Sequence, residues 1–375
     1  QEPTGIDADF DIRFPDEEIL KLLMPKLGFP KGPLTVSGGL VKQEDRTRAH
    51  QVLITLGPNQ LNLDGHITRD HSFDFDLQFS GPDAEEFESL IGTHPGNVPF
   101  DMSARVQGSP RKFALNNLSA KVGKSVAAGN MTVELAEVTR VSGAITSPYL
   151  NVSTWTEKED EPAPEATTKT KQKYKFDDTP VMQITDLGVE VDLDLKADTL
   201  DLGSSHIDNL DLSFVLRDHL IQLKPFSFRD MRGALLSGAF TMDSQGSQPR
   251  LDISLLAEDF HPVIGAKEGQ DPATLPSGDF ELVLNSTGKT KREMASNMDG
   301  KVRMQLGPGK LAPSAYGFLM TDFLGQLVDT LNPFTEAQVY TELDCALAAA
   351  DIESGVATLA PIILHTKQLT IVSEG

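Results

Sequence analysis

The apolar residues of this chain recur at every second position over most of its length. In the stretch VEVDLDLKADTLDLG (Val189 to Gly203), Val189, Val191, Leu193 and Leu195 alternate with acidic residues. A period of two is that of a β-strand with one apolar face and one polar face. Because clean alternation is typical of antiparallel hairpins rather than of buried parallel strands, the pattern predicts a mainly β fold built from repeating hairpin units.

Segments of the same kind fill both halves of the chain, and turn residues such as Gly57-Pro58-Asn59 separate them. One parity of each segment is predicted to form a shared apolar lining. The predicted lining residues are Phe73, Phe75, Leu77, Phe79, Met131, Val133, Val191, Leu193, Leu195, Leu212, Phe214, Leu216, Leu223, Phe240, Leu251, Ile253, Leu255, Phe280, Leu282, Leu284, Val302 and Met304. They are mostly Phe, Leu, Val and Met, which suits featureless alkyl chains because these side chains bring no hydrogen-bonding groups.

A charged, Pro- and Thr-rich segment at residues 156–179 interrupts the alternation. Its sequence, TEKEDEPAPEATTKTKQKYKFDDT, has few apolar residues, as expected of a flexible linker. The interruption predicts a β-rich N-terminal lobe at 1–155 and a C-terminal β lobe at 180–375.

Helical signals are few. Short connecting helices are predicted near Pro15–Glu18, Asp83–Leu90 and Lys289–Asn297. Apolar residues at helical spacing between Pro313 and Leu331 predict one longer amphipathic helix. We interpret its apolar stripe as packing on the sheet, and a plug or lid at the end of a cavity is the alternative.

Composition narrows the function classes. The 375 residues carry a net charge of −22, which argues against nucleic-acid binding and against docking on anionic lipid headgroups. Cys345 is the only cysteine, which excludes an intramolecular disulfide and a Cys-based zinc cluster. No run reaches the roughly 18–20 apolar residues of a membrane span. The start at Gln1 indicates an excised segment, so the lack of a targeting signal carries no information.

Motifs for catalysis or metal binding are weak. His66 and His71, with Asp64 and Asp70 nearby, are more simply polar residues of a strand and a turn. The acidic run at 7–11 lacks the glycine and distal glutamate of a calcium loop. Two phosphate-loop-like endings, Gly123-Lys124-Ser125 and Gly288-Lys289-Thr290, lack the leading glycine. The sequence therefore predicts neither an enzyme nor a cofactor nor a metal site.

Internal repeats are visible between the two halves. Asn117-Leu118 matches Asn209-Leu210, and Ala128–Met131 matches Ser237–Phe240, in the same order. Serial units of this kind bury their apolar faces by stacking on their neighbours.

The order of these motifs resembles the AsmA family of Gram-negative envelope proteins, relatives of TamB. The resemblance is carried by Leu210–Ser244, Ser277–Leu311 and Thr341–Gly375, and more loosely by Gly32–Leu40 and Asn116–Val152. It implies an architecture similar to bridge-like lipid-transfer proteins, in which a long twisted sheet curls into an open groove. It also implies a periplasmic region of an inner-membrane-anchored protein that acts in outer-membrane biogenesis and phospholipid transport. Membrane contact would come from parts outside this segment.

Three functions remain open at this point. The first is a non-enzymatic conduit that carries phospholipid acyl chains between the inner and outer membranes. The second is an interaction protein that modulates outer-membrane protein assembly, with envelope proteins as partners of its exposed sheet edges. The third is a structural spacer whose apolar faces meet in a closed core.

Overall fold

The computed structural model describes residues 5–23, 28–88, 94–153, 177–181, 185, 187–203, 205–261, 274–311 and 341–373. The predicted mainly β fold is confirmed, since these residues form 21 strands and two short α-helices. Their contacts divide the chain into unit 1, which comprises Gln1–Thr168 and Asp186–Asp218, and unit 2, which comprises Lys169–Thr185 and His219–Gly375.

Unit 1 is a sheet whose strands pair in the order of the sequence. Its described strands are β1 (Ile6–Phe14), β2 (Leu34–Lys42), β3 (Arg46–Leu56), β4 (Asn59–Thr68), β5 (Phe73–Gly81), β6 (Phe100–Ser109), β7 (Lys112–Val122), β8 (Ser125–Glu134), β9 (Thr139–Asn151), β10 (Val189–Asp201) and β11 (His206–Arg217). Every neighbouring pair is antiparallel except β9–β10, which is parallel. Parallel neighbours need a long connection, and residues 152–188 supply it.

Unit 2 is built in the same serial way. Its described strands are β12 (Leu220–Asp230), β13 (Leu235–Asp243), β14 (Arg250–Phe260), β15 (Gly278–Thr287), β16 (Asp299–Leu306), β17 (Gly309–Leu311), β18 (Thr341–Glu353), β19 (Val356–Leu359), β20 (Ile362–Thr366) and β21 (Thr370–Ser373). Strands β12 to β16 pair in sequence order, and β16 then pairs with β18. The long β18 also pairs with β17, β19 and β20, and β20 pairs with β21.

The short helices lie in strand connections, as predicted. Helix α1 (Glu18–Leu23) follows β1, a 3₁₀ turn η1 (Ala84–Phe87) follows β5, and α2 (Lys291–Ser296) follows β15. Thr290 caps α2: its Oγ1 accepts a 3.2 Å hydrogen bond from the backbone N–H of Glu293. Of the predicted helix over Asp83–Leu90, the described part consists of the 3₁₀ turn η1 followed by Glu88 in α-helical conformation, and residues 89–90 lie outside the described residues.

Two other predictions fall partly or wholly outside the described residues. The amphipathic helix predicted between Pro313 and Leu331 lies entirely outside them. Of the predicted linker at 156–179, only Asp177–Thr179 is described, and Asp177 and Thr179 accept backbone hydrogen bonds from Arg292 and Lys291. The lobe boundaries stay a prediction. The contact division places β10 and β11 in unit 1, because β10 pairs with β9.

Bulges keep apolar residues on one side of the sheet where their spacing along the strand is three instead of two. They fall between Ala49 and Val52, Leu115 and Leu118, Leu223 and Phe226, and Ala257 and Phe260. In a regular strand, a spacing of three would place the two residues on opposite faces. The extra residue of each bulge cancels that inversion.

Three of these bulges share one hydrogen-bonding device. Gln51, Asn117 and Asp259 adopt left-handed conformations, with φ of 49°, 52° and 54°. Each donates its backbone N–H to a side-chain oxygen of the next strand. The acceptors are Asp64 Oδ2 at 3.2 Å, Asn130 Oδ1 at 3.0 Å and Asp279 Oδ1 at 3.2 Å. The N–H that a bulge removes from the ladder is therefore satisfied locally.

Candidate functional site

The strand register of unit 1 brings apolar residues into continuous rows. Residues that are paired across neighbouring strands share a face of the sheet. One row crosses all eleven strands and consists of Ala8, Leu40, Ala49, Gly65, Phe75, Val106, Leu115, Met131, Gly143, Leu193 and Phe214. A second row runs from β4 to β11 and consists of Ile67, Phe73, Gly108, Phe113, Val133, Val141, Val191 and Leu216. We call this face the apolar side of unit 1.

Unit 2 has an apolar side of its own. One of its rows consists of Leu223, Phe240, Ile253, Leu284, Gly300 and Ile352. The next row consists of Phe226, Gly238, Leu255, Leu282, Val302, Ala350 and Leu359. None of the residues in the rows of either unit is charged. All the predicted lining residues lie on the apolar side of their own unit.

The exposure of the predicted lining residues distinguishes them from an ordinary core. Every one of them is half-buried: none is fully buried and none is fully exposed. Leu34 at the start of β2 and Leu306 at the end of β16 are far more deeply buried, each only 2% exposed. If the apolar sides met in a closed core, the central positions would be the most deeply buried. The apolar side of each unit is instead a surface that neighbouring side chains cover only in part.

Two buried serines on the apolar sides have hydrogen-bond partners within the chain. The hydroxyl of Ser147 donates to the carbonyl oxygen of Val126 at 2.6 Å. The hydroxyl of Ser286 donates to the carbonyl oxygen of Met294 at 2.5 Å. Both serines are buried, so these bonds remove donors that would otherwise face apolar neighbours.

The opposite face of each unit is polar and carries ion pairs between neighbouring strands. Arg105 holds Asp74 through two hydrogen bonds of 2.8 and 2.7 Å, and this contact is the main reason that the pKa of Asp74 is lowered to about 2. Lys196 pairs with Asp211 at 2.7 Å, and Lys301 with Glu281 at 2.6 Å. This face accounts for much of the charge, so the two faces of one sheet differ sharply in character.

An aromatic cluster covers one end of the apolar side of unit 1. Phe87 of η1 packs against Phe79 and Phe100, with ring centroids 5.0 and 5.4 Å away. Ala84 and Phe100 are also buried, and Val98 and Met102 pack around them. The connection between β5 and β6 therefore closes this end, whereas the turns after β4 and β6 leave the other end without such a cluster among the described residues.

Unit 2 has a comparable buried group where β16, β18 and β20 meet. Leu306, Leu343, Ala346 and Leu364 form it, and Phe260, Met304 and Ile371 pack against it. Cys345 lies next to this group and is a half-buried free thiol.

The acidic residues near His66 and His71 have structural partners. Asp70 accepts hydrogen bonds from the hydroxyls of Thr68 at 2.5 Å and Ser72 at 3.0 Å, which stabilises the turn that contains His71. Asp64 accepts the bulge N–H of Gln51 and pairs with Arg48 at 3.6 Å.

The phosphate-loop-like endings and one acidic group also have structural roles. Gly123-Lys124-Ser125 forms the turn between β7 and β8, and Thr290 of the second ending is the cap of α2. Glu85, Glu88 and His94 lie together beside η1. His94 Nδ1 is 3.4 Å from Glu85 and 3.2 Å from Glu88, and Gly96 donates its N–H to Glu85 at 2.8 Å, so this group fastens the following loop.

Several residues of the apolar side were not among the predicted lining. They include Val106, Phe113, Leu115, Val141, Phe226 and Phe228, which the register places in or beside the rows. For β12 the reason is a bulge, because the parity set by Leu223 assigns Phe226 and Phe228, which lie beyond the bulge, to the wrong face. The repeated Asn-Leu pair was an available signal, since Asn117 and Asn209 both adopt left-handed conformations.

Comparisons with protein-family models, with curated proteins and with solved structures found no match. The resemblance to the AsmA family therefore stays a prediction. Among the helices of the described residues, none is long and apolar enough to cross a membrane.

Proposed function

We propose that this protein is a non-enzymatic lipid-binding protein whose apolar sides carry phospholipid acyl chains between the inner and outer membranes of a Gram-negative envelope. One observation carries the proposal. Apolar rows without a charged residue run across the strands, and the predicted lining side chains on these apolar sides are all half-buried. The periplasmic location, the inner-membrane anchorage and the choice of phospholipid rest on the resemblance to the AsmA family.

The energetics favour a continuous lining. At roughly 0.8 kcal/mol per CH₂, exposing an acyl chain of about sixteen carbons to water costs on the order of 13 kcal/mol. A chain that moves from strand to strand avoids this cost only if no charged residue interrupts its path. The row from Ala8 to Phe214 meets that requirement, because all of its members are apolar or glycine.

The polar side explains how such a surface remains in solution. Acidic residues and ion pairs cover it, and the net charge of −22 adds repulsion between molecules. One sheet thus offers an apolar side to a ligand and a charged side to water.

The test is photo-crosslinking at Phe214. This residue pairs with Leu193 on the apolar side, whereas Asp194 and Asp211 lie on the polar side, where they contact Ser213 and Lys196. A benzophenone amino acid would replace Phe214, Asp194 or Asp211 in turn, and the protein would be expressed in a Gram-negative periplasm. Phospholipid attached covalently to the purified protein would then be identified by mass spectrometry.

We expect phospholipid adducts at position 214 and none at positions 194 and 211. Absence of an adduct at 214 in a protein that keeps its β-sheet circular dichroism would contradict the proposal and favour a dry core. Equal amounts of adduct at all three positions would indicate nonspecific lipid binding to both faces of the sheet, which would also contradict the proposal.

A further inference from the structure

The outer edge of β1 is unpaired among the described strands of unit 1. Strand β1 pairs with β2 through nine consecutive residues, from Ile6 opposite Lys42 to Phe14 opposite Leu34. Among the described residues of unit 1, no strand pairs with its other edge. The edge therefore presents a row of backbone N–H and C=O groups that can accept a further strand.

Charge on β1 is arranged differently from charge on the inner strands. Within unit 1, Asp74 and Asp211 each face a cation on a neighbouring strand. Asp7 and Asp9, by contrast, lie opposite Val41 and Gly39 of β2, and no ion pair to either aspartate occurs in the part of the chain that the structure describes. Two exposed carboxylates on the polar side of the edge strand thus lack cross-strand cations of the kind that Asp74 and Asp211 have.

The apolar side of the same strand is unprotected. Ile6 is 61% exposed and Ile12 is 47% exposed, and Ala8 and Phe10 lie between them. Proteins commonly block an edge with a charge that points toward the apolar side or with a proline. Strand β1 has neither at these positions, so its edge is long, regular and accessible to pairing.

We infer that the β1 edge binds an extended segment of another protein in which Lys or Arg alternates with apolar residues. In such a pairing the cations lie beside Asp7 and Asp9 on the polar side, and the apolar residues lie beside Ile6, Phe10 and Ile12. Backbone hydrogen bonds supply affinity and the alternating side chains supply specificity. The partner segment extends the sheet by one strand.

A second copy of this chain is the wrong occupant. If two β1 strands paired antiparallel along their full length, Asp7 of each strand would face Arg13 of the other, but Asp9 of each would face Asp11, and like charges directly opposite each other are destabilising. With −22 charges on each molecule, encounter is also disfavoured. A basic partner relieves both problems, and its association rate should fall as salt rises.

The experiment uses the full chain and a fluorescent nine-residue peptide in which Lys alternates with Val. A block peptide of the same composition, with its lysines grouped together, is the first control. A peptide methylated on alternate backbone nitrogens is the second, since it keeps the charge but cannot form the strand pairing. Binding is measured by fluorescence anisotropy, and hydrogen exchange locates the protected amides.

Two protein variants distinguish the effect of the charges at the β1 edge from the effect of the protein's net charge. The Asp7→Lys/Asp9→Lys variant reverses the edge charges, and both positions are exposed, so the fold should be unaffected. The Asp76→Lys/Asp198→Lys variant makes the same change in net charge at exposed positions of β5 and β10.

We expect saturable binding of the alternating peptide, slower exchange confined to β1, and at least a roughly tenfold loss of affinity in the edge variant. The matched variant should change the affinity less than about threefold. Equal losses in both variants, or equal binding of the block or methylated peptide, would overturn the inference. A lack of binding, or a wild-type dimer at micromolar concentration by sedimentation, would also overturn it. Lipid crosslinking at Phe214 does not involve the β1 edge. A negative peptide result would therefore contradict this inference and leave the proposed function untouched, and a negative crosslinking result would do the reverse.

Discussion

The backbone N–H of Asn117 donates a 3.0 Å hydrogen bond to Oδ1 of Asn130 on the next strand. This contact fixes a bulge at which Asn117 is left-handed and at which Leu115 and Leu118 remain on the same side. Matching contacts join Gln51 to Asp64 and Asp259 to Asp279. The continuity of the apolar side therefore depends on a few polar contacts on the opposite side.

Replacing Asn117 with Ala should destabilise the protein, because a left-handed backbone costs an ordinary L-residue roughly 1–2 kcal/mol. Asn117→Gly should change the free energy of unfolding by less than about 0.5 kcal/mol, since glycine adopts this conformation readily. Urea unfolding followed by circular dichroism measures both. Asn62→Ala, at an exposed strand position, is the matched control. An Ala variant as stable as the Gly variant would refute the role assigned to the left-handed conformation.

The pairing of Asp74 with Arg105 predicts a pH effect. Arg105 holds the pKa of Asp74 at about 2, well below the ordinary value of an aspartate. A folded-state pKa that is depressed stabilises the protein above the unfolded pKa of about 3.9, and this contribution is lost as the pH falls toward 2. Arg105→Gln should raise the pKa of Asp74 and flatten this part of the stability profile. Carboxyl NMR titration measures the first effect, and urea unfolding between pH 6 and pH 2 measures the second.

Arg111→Gln provides the control for that experiment, because it removes the same charge from an exposed turn. If the pKa of Asp74 moved equally in both variants, net charge rather than the two hydrogen bonds would be its cause.

Removing Phe87 should open the covered end of the apolar side. This side chain is 7% exposed and contacts two other phenylalanine rings, so Phe87→Ala should cost roughly 3 kcal/mol in the free energy of unfolding. Leu135→Ala, at a position 46% exposed, should cost less than about 1 kcal/mol. Chemical denaturation compares the two. Similar values for both would show that the cluster contributes little to stability.

A side chain at Gly65 should disturb the β4–β5 pair. A Cβ atom at this position would lie 2.1 Å from the carbonyl oxygen of Asp74 and 2.6 Å from Cδ1 of Phe75. Gly65→Ala should therefore destabilise the protein by on the order of 1–3 kcal/mol. At Gly246 a Cβ would come no closer than 3.5 Å to any heavy atom, so Gly246→Ala should be neutral or slightly stabilising. Thermal unfolding distinguishes them, and equal melting temperatures would contradict the close approach.

A charge placed in the row should block lipid. Leu193 pairs with Gly143 and Phe214, so Leu193→Asp puts a carboxylate in the proposed path. We expect at least a roughly tenfold loss of affinity for a fluorescent fatty acid, because burying an unpaired charge beside an acyl chain is costly. Thr132→Asp adds the same charge to the polar side and should leave the affinity within about twofold. Retained binding in the Leu193 variant, with its β-sheet spectrum intact, would count against the conduit.

The sequence predicts the fold well where alternation is unbroken. Phe73 to Phe79 and Val191 to Leu195 lie on the apolar side as expected, because a period of two leaves a strand little choice of face. The rule fails beyond Leu223, where a bulge returns Phe226 to the same side. Nothing local in the sequence specifies that a strand pair will absorb an extra residue there.

The sequence also did not predict the parallel pairing of β9 and β10. The pattern in Val189 to Leu195 favours antiparallel hairpins, and β10 does pair antiparallel with β11. Its second neighbour, β9, is separated from it by the long segment 152–188, and alternation within a strand does not encode pairing across such a segment. The half-burial of the lining residues was likewise unpredictable, because a strand with a covered apolar face and one with an uncovered apolar face show the same alternation in sequence. It became visible only from the packing around each side chain.

The bulges also determine where this chain can change its length. Deleting one residue from a regular strand exchanges the faces of everything beyond it in that strand. Deleting Asn117 would instead bring Leu115 and Leu118 into ordinary alternation, with both side chains still on the face that they occupy now. Over evolutionary time, single-residue insertions and deletions in the strands of this fold should therefore accumulate at its bulges. Related chains could then differ in strand length by one residue and still keep the same residues on each face.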